Sequence, residues 1–144
     1  MGEPVQTTSH ATRTVLVSRR VLAESFDING LVRVRSAVAV YAEALGAGAA
    51  LDDIVLTAYE LCSNAVKYGG GSGRLRMWRD GNKILCRVSD SGLGMADADG
   101  RGLESPEPFA IGGRGLWIAR SLAHIDIETG PHGTTVTAAV TVPP

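Results

Sequence analysis

The chain has few of the features that mark secreted, membrane or nucleic-acid-binding proteins. Among its 144 residues are only two cysteines, Cys62 and Cys86, whose spacing fits neither a metal site nor a redox motif, so we expect reduced core thiols. No apolar run approaches the ~18 residues of a membrane span, and the polar N-terminal residues lack the apolar core of a signal peptide. A net charge of −1 provides no basic surface for nucleic acid or an anionic membrane. These absences favour a cytoplasmic protein that binds neither.

The composition is otherwise that of one globular domain. Hydrophobic residues make up 44% of the chain and charged residues 20%. The polar residues 1–12 predict a disordered tail, and residues 13–144 predict a single domain. Glycine, with 18 residues, is abundant and clustered.

The stretch 51–71, LDDIVLTAYELCSNAVKYGGG, predicts a helix of about five turns. Asp52 or Asp53 is the expected N-cap, and the glycines 69–71 end the helix. One helical stripe is apolar and comprises Ile54, Ala58, Leu61, Ala65 and Tyr68. The stripe beside it is polar and comprises Thr57, Glu60, Asn64 and Lys67. Asparagine is a poor helix former, so its position in mid-helix indicates a specific role.

The remaining pattern predicts strands that alternate with buried helices. A short strand is expected at 14–18, residues 21–30 fit either helix or strand, and a buried helix is expected at 31–45. Later strands are expected at 73–79, 83–90, 125–129 and 134–142, with a helix at 116–123. Residues 91–112 form either a lid or a disordered insert. Hairpin connections such as RDGN at 79–82 favour an α+β two-layer sandwich, with a mixed, mostly antiparallel sheet and helices on one face.

Glu60 and Asn64 lie one helical turn apart on the same face. The Asn64 side-chain oxygen suits Mg²⁺, which takes oxygen ligands and keeps waters when phosphates complete its shell. Glu60 is placed to accept a proton from an attacking hydroxyl or water. The simpler interpretation of this pair is a solvated polar stripe.

Asp90 ends an alternating strand and shares the more apolar face with Ile84, Cys86 and Val88. A carboxylate directed towards the core needs a partner, and an exocyclic amine would serve. Gly92 and Gly94 follow and let backbone approach a planar ring closely. The alternative is an ordinary glycine turn after a strand.

Two further glycine segments add to this pattern. The sequence GGRG at 112–115 opens a helix, where backbone N–H groups bind anions and Arg114 adds charge; the alternative is a flexible hinge. Gly133 and Thr134 start the last strand, whose alternation directs the Thr134 hydroxyl inward on the side of Asp90.

Taken together and in this order, these motifs resemble those of the GHKL ATP-binding superfamily, which includes gyrase, MutL and the histidine kinases. ELCSNAVKY resembles its N box, DSGLG its G1 box, GGRGL its G2 box, and GTTV its threonine strand. The resemblance covers roughly residues 14–142 and implies the Bergerat ATP-binding fold. Within the superfamily the chain looks most like the small bacterial anti-sigma factor serine/threonine kinases.

The resemblance also implies a role for each motif residue. Asp90 would bind the adenine amine, supported by Thr134, while Asn64 would hold Mg²⁺ and Glu60 would act as the general base. Other residues would shape the ATP pocket and its lid hinges or contact phosphate: Gly92, Gly94, Gly113, Gly115, Leu116, Lys67 and Arg114.

The implied function is that of an ATP- and Mg²⁺-dependent kinase that phosphorylates a STAS-type antagonist, binds a sigma factor, or does both. One alternative is a nucleotide-gated protein-binding module without useful catalysis, and another is an ATPase module detached from a histidine kinase. The resemblance is also consistent with a homodimer, for which the residues TVLVS at 14–18 offer an exposed strand edge.

Overall fold

The computed structural model describes residues 21–92 and 114–143. In this part of the chain, five antiparallel strands form one sheet in the order β1-β2-β3-β5-β4. The strands are β1 Leu22–Asp27, β2 Ser72–Asp80, β3 Lys83–Ser89, β4 His124–Gly130 and β5 Gly133–Thr141. The helices are α1 Leu31–Ala44, α2 Leu51–Tyr68 and α3 Arg114–Leu122. The prediction of an α+β sandwich with a mostly antiparallel sheet is confirmed.

Helix α2 has the predicted length, but it begins differently from the prediction. Its N-cap is Ala50, which has no side-chain cap, so the prediction of Asp52 or Asp53 is wrong. The physical reason is that a 3₁₀ turn, Gly48–Ala50, runs directly into the helix. Both aspartates therefore lie in the first turn, where negative charge still interacts favourably with the helix dipole.

The predicted apolar stripe of α2 is largely correct. Ile54, Ala58, Leu61 and Ala65 are all buried, as the 3.6-residue period predicts. Tyr68 is 45% exposed, so its assignment to the buried stripe is wrong. It is the last residue of the helix, and the chain leaves the helix axis at Gly69.

The sheet has one face against the helices and one face without them. Ile84, Cys86 and Val88 of β3 are buried against the helices, as is the predicted inward face of β5, which includes Val136 and Ala138. The opposite side chains of β2 to β5 form what we call the open face. Among the described residues, the helices pack only on the inward face.

The predictions for residues 1–30 and for the region after β3 are in part confirmed, in part wrong and in part outside the described residues. The segment 21–30, which fits helix or strand by sequence, forms the edge strand β1 and then a 3₁₀ turn. The predicted strand at 14–18, the tail at 1–12 and almost all of the predicted lid at 91–112 lie outside the described residues. The helix predicted at 116–123 is present as α3 but ends at Leu122, and β4 begins at His124, one residue before the predicted start of that strand. No helix in the described ranges is long and apolar enough to cross a membrane.

The two cysteines are buried free thiols, as predicted. Cys62 belongs to α2 and Cys86 to the inward face of β3, so both lie in the layer between helix and sheet. Burial raises the pKa of the Cys62 thiol and raises the pKa of Cys86 to about 12. Both thiols therefore remain protonated in the folded protein near neutral pH.

Candidate functional site

Asp90 follows β3, and backbone groups hold its carboxylate in place. Its Oδ1 accepts hydrogen bonds from the Gly92 N–H at 2.9 Å and from the Thr134 N–H at 3.2 Å. Its own N–H donates to the Thr134 carbonyl oxygen at 2.9 Å. Because the turn after β3 and the start of β5 both bind Asp90, its side chain has a defined orientation.

The second carboxylate oxygen of Asp90 lies against the C-terminal end of α2. A Cβ placed on Gly69 would overlap Asp90 Oδ2. Gly69 is the C-cap of α2, and its N–H donates to the Ala65 carbonyl at 2.8 Å. The last turn of α2 therefore contacts the carboxylate directly, and this contact requires a residue without a side chain.

Two more glycines pack tightly around the same point. A Cβ on Gly92 would lie 2.7 Å from the Gly69 Cα, so these two backbones are in contact. Gly133 has φ +140°, and a Cβ there would overlap the Asp90 carbonyl oxygen. The surroundings of Asp90 are thus built largely of backbone, which allows close approach by a flat ligand.

Thr134 lies behind Asp90 and points inward as predicted. The residue is 5% exposed, and its hydroxyl is 2.8 Å from the Thr129 hydroxyl on β4. The Thr134 side chain therefore links the two last strands, while its backbone binds Asp90. The predicted neighbourhood of Asp90 and Thr134 is present.

Glu60 and Asn64 lie in the middle of α2, where their side chains contact the start of α3. Both side chains are half-buried. A Cβ on Gly115 would lie 2.9 Å from Glu60 Oε1 and 3.1 Å from Asn64 Oδ1. The next residue, Leu116, is 1% exposed and anchors α3 in the core. A side chain at position 115 would push against the Glu60 carboxylate, so glycine lets the helix start this close to both oxygens in their present positions.

The other predicted site residues are either exposed or lie outside what the structure describes. Lys67 is exposed in the last turn of α2. Arg114 is the first residue of α3, and its side chain lies outside what the structure describes. Gly94 and Gly113 also lie outside the described residues.

The two halves of the site lie along one helix. Asn64 and Gly69 are separated by roughly 7.5 Å of helix rise, and Glu60 lies one turn before Asn64, further from Gly69. One end offers a carboxylate among glycine backbones, and the other offers two side-chain oxygens beside the start of a helix. This arrangement suits an elongated ligand with a hydrogen-bond donor at one end and bound cation or anion at the other.

The donor set fits a metal that is held only partly by protein. Within residues 21–92 and 114–143, no group of three or more His, Cys, Asp or Glu side chains is placed to hold a metal ion. Asn64 Oδ1 is an oxygen donor of the kind that Mg²⁺ takes when phosphates and water supply its other ligands.

Sequence reasoning missed three residues around Asp90. Gly69 belongs to the triple glycine that predicts the end of α2, so its contact with Asp90 has no separate sequence pattern. Gly133 is noted only beside Thr134, and Thr129 only as a strand end. The glycine positions fit a turn or a close approach equally well, and only the packed structure distinguishes the two.

Comparison with known proteins gives one family and a set of structural relatives. The profile of the histidine kinase-like ATPase domain matches residues 25–140. No curated protein sequence matches the chain.

A similar solved structure is that of the RsbU and RsbW domains of Rv1364c from Mycobacterium tuberculosis, with a TM-score of 0.63 and 23% identity. The match covers 85% of this chain and 32% of that one, so this chain spans about a third of the RsbU–RsbW chain in that structure. The histidine kinase domain of the blue-light activated kinase EL346 from Erythrobacter litoralis has a TM-score of 0.53 and 20% identity, covering 82% and 68% of the two chains. At these identities the likeness concerns the fold.

Proposed function

The chain belongs to the histidine kinase-like ATPase domain family of the GHKL superfamily, and we propose that it is an ATP- and Mg²⁺-dependent serine/threonine protein kinase of the anti-sigma type. The observation that supports this most is the position of α2 between Asp90 and Gly115. Its C-terminal end contacts the Asp90 carboxylate, and its middle contacts the start of α3 through Glu60 and Asn64.

At the Asp90 end we propose the adenine site. The carboxylate accepts a hydrogen bond from the exocyclic amine, and Thr134 supports it from behind. Gly92 provides backbone that approaches the flat ring closely, and we assign Gly94 the same role. The hydrogen bonds from Gly92 and Thr134 to Asp90 Oδ1 support this assignment, because they orient the carboxylate before the nucleotide arrives.

At the other end we propose the site of phosphoryl transfer. Asn64 Oδ1 would hold Mg²⁺, which supplies charge stabilisation to the phosphates when bound. Glu60 accepts the proton of the attacking hydroxyl as that oxygen bonds to the γ-phosphorus and the bond from the γ-phosphorus to its bridging oxygen breaks, leaving ADP. The backbone around Gly113 and Gly115, with Leu116 as anchor, would bind the phosphates, and we assign Lys67 and Arg114 supporting charges.

The proposed acceptor is a serine or threonine of a STAS-type antagonist, and a sigma factor is the other proposed partner. This proposal rests on the motif resemblance to anti-sigma kinases and is in keeping with an RsbW-containing protein among the structural relatives. The proposed catalytic role of Glu60 distinguishes a kinase from a nucleotide-gated binding module, because a binding module has no need of a base.

The kinase proposal is tested by incubating the protein with STAS-domain candidates and γ-labelled ATP. Wild type is expected to transfer label, and Glu60→Gln to reduce transfer by at least about 10²-fold, because the variant cannot take the proton. Its ATP affinity should remain within a few-fold of wild type.

The matched control is Glu43→Gln, which removes an exposed carboxylate at the end of α1 and should leave transfer unchanged. Loss of ATP binding by Glu60→Gln would contradict its role as a base. ATP binding without label transfer to any candidate would favour the binding module instead.

The adenine site is tested by titrating ATP and ADP calorimetrically into wild type and Asp90→Asn. We expect Asp90→Asn to weaken both nucleotides at least about tenfold, because a hydrogen bond to a charged acceptor contributes roughly 1.5–3 kcal/mol. Asp80→Asn, an exposed substitution at the end of β2, is the control. Full-strength binding by Asp90→Asn would place the adenine elsewhere.

A further inference from the structure

Thr57 belongs to the polar stripe of α2, yet its side chain is buried. It is 1% exposed, whereas Glu60 and Asn64 of the same stripe are half-buried. A turn of about 100° per residue places Thr57 roughly 60° from Glu60 around the helix, towards the apolar stripe. Helix α3 packs against α2, and its Gly115 lies against Glu60 and Asn64. Thr57 is therefore on the core side of the proposed base.

The hydroxyl of Thr57 makes no hydrogen bond within the part of the chain that the structure describes. A threonine in a helix can bond to the carbonyl oxygen four residues earlier, but this one does not. The buried residues of α3, Leu116 and Ala119, are apolar and offer it no partner. A buried hydroxyl without a partner costs stability, and a native protein that keeps such a group has a reason to do so.

Helix geometry brings this hydroxyl close to the Glu60 carboxylate. Residues three apart on a helix have their Cβ atoms about 5–6 Å from each other. Helical side chains lean towards the N-terminus, so the Glu60 side chain extends over the turn that contains Thr57. Glu60 Oε1 lies beside Gly115, and an ionised carboxylate has a second oxygen that accepts hydrogen bonds. Side-chain rotation alone is therefore enough to bring the Thr57 hydroxyl and the carboxylate together.

We propose that Thr57 is a positioning residue for Glu60, and that its hydroxyl donates a hydrogen bond to one oxygen of the Glu60 carboxylate in the complex with ATP and the acceptor. This inference rests on the proposed kinase function. The other carboxylate oxygen then faces the acceptor hydroxyl and takes its proton as that hydroxyl oxygen bonds to the γ-phosphorus. Hydrogen bonds to catalytic groups are often completed only in such a complex, which accounts for a hydroxyl without a partner before the ligands bind.

The proposal gives opposite expectations for stability and for activity when the hydroxyl is removed. Thr57→Val keeps nearly the same shape and a similar helix propensity. It should raise the melting temperature by a few degrees, because it removes a buried polar group that has no partner. It should lower kcat for label transfer at least about tenfold, with KM for ATP within a few-fold of wild type, because the lost contact is made in the transition state.

The test compares this variant with Thr57→Ser, using γ-labelled ATP and the STAS-domain candidate that wild type labels. Thr57→Ser keeps the hydroxyl and loses a buried methyl group, so it should melt below wild type and retain kcat within a few-fold. The order of the two variants in stability is then the reverse of their order in kcat. Thr141→Val, an exposed substitution at the end of β5, is the control and should match wild type in both measurements.

Failure of this inference is distinct from failure of the proposed function. A wild type that binds ATP but labels no candidate contradicts the kinase proposal, and the role of Thr57 with it. Where wild type labels a candidate, an unchanged kcat in Thr57→Val overturns the role of Thr57 alone. A Thr57→Ser protein as slow as Thr57→Val would overturn it too. So would a Thr57→Val protein that melts below wild type, because the hydroxyl would then stabilise the fold.

Discussion

At the scale of single residues, the two oxygens of the Asp90 carboxylate have different surroundings. Oδ1 receives the backbone N–H groups of Gly92 and Thr134, and Oδ2 lies against Gly69. Glycine at position 69 is therefore part of the positioning of Asp90. Its φ of −112° is one that any residue adopts, so only the contact with the carboxylate and the nearby Ala65 carbonyl demands glycine.

We predict that Gly69→Ala weakens ATP binding at least about tenfold. The added methyl group would overlap Asp90 Oδ2, and the carboxylate can move away only by giving up its hydrogen bonds to Gly92 and Thr134. Isothermal titration calorimetry with ATP measures the effect. The control is Gly130→Ala, because a Cβ there meets nothing within 4 Å. Wild-type affinity in Gly69→Ala would mean that the orientation of Asp90 does not matter for the nucleotide.

Sequence patterns predict some of these contacts and cannot predict others. Strand alternation predicts that Asp90 and Thr134 point to the same side of the sheet, and helical spacing predicts that Glu60 and Asn64 share a face; the described structure has both pairs so placed. The contact between Gly69 and Asp90 joins a helix end to a strand end. It depends on how close two elements pack, for which a single sequence has no periodic pattern.

At the scale of elements, the junction between α2 and β3 is tight and apolar. Its helix side is predicted correctly from the 3.6-residue stripe, and its sheet side from the alternation of Ile84, Cys86 and Val88. The strand β1 is harder to predict, because LAESFD places Glu24 between the buried residues Leu22 and Phe26 on the inward face. Arg33 of α1 forms an ion pair with Glu24, and this tertiary contact compensates the charge.

The cysteines at this junction predict a loss of stability in alkali. The folded pKa of Cys86 is about 12 against an ordinary 9.0, so between these pH values the unfolded thiol loses its proton while the folded one keeps it. The stabilising contribution is therefore complete below pH 9 and decreases as pH rises. Relative to Cys86→Ala, wild type should lose up to about 1.4 kcal/mol of unfolding free energy per pH unit in this window.

Urea unfolding at a series of alkaline pH values measures this difference. Subtracting the Cys86→Ala curve removes the titration of lysines and tyrosines that both proteins share. Parallel curves for wild type and variant would show that the Cys86 thiol ionises as readily in the folded protein as in the unfolded chain.

At the scale of the whole molecule, the core of the described residues lies between the sheet and the helices, and α2 is at its centre. Leu61 of α2 is 2% exposed, whereas Leu56 of the same helix is 42% exposed. The two leucines therefore form a matched pair that separates burial from helix propensity.

We predict that Leu61→Ala lowers the free energy of unfolding by about 3 kcal/mol, because it removes buried methyl groups and leaves a cavity. Leu56→Ala should lower it by less than about 1 kcal/mol, since that side chain is largely in water already. Chemical denaturation of both variants gives the comparison. Equal losses would contradict the position of α2 at the centre of the core.

Helix α2 contacts Asp90 at its C-terminal end and the start of α3 at its middle. The length of the helix between these two points therefore sets the distance between the two halves of the site, and with it the length of the ligand that fits. A residue inserted between Asn64 and Gly69 would turn one half of the site by about 100° and displace it by about 1.5 Å relative to the other. Extra residues in the tight turn between β2 and β3 would leave that spacing intact. Evolution and engineering can therefore vary the length of the turn between β2 and β3, while the number of residues in α2 must stay constant.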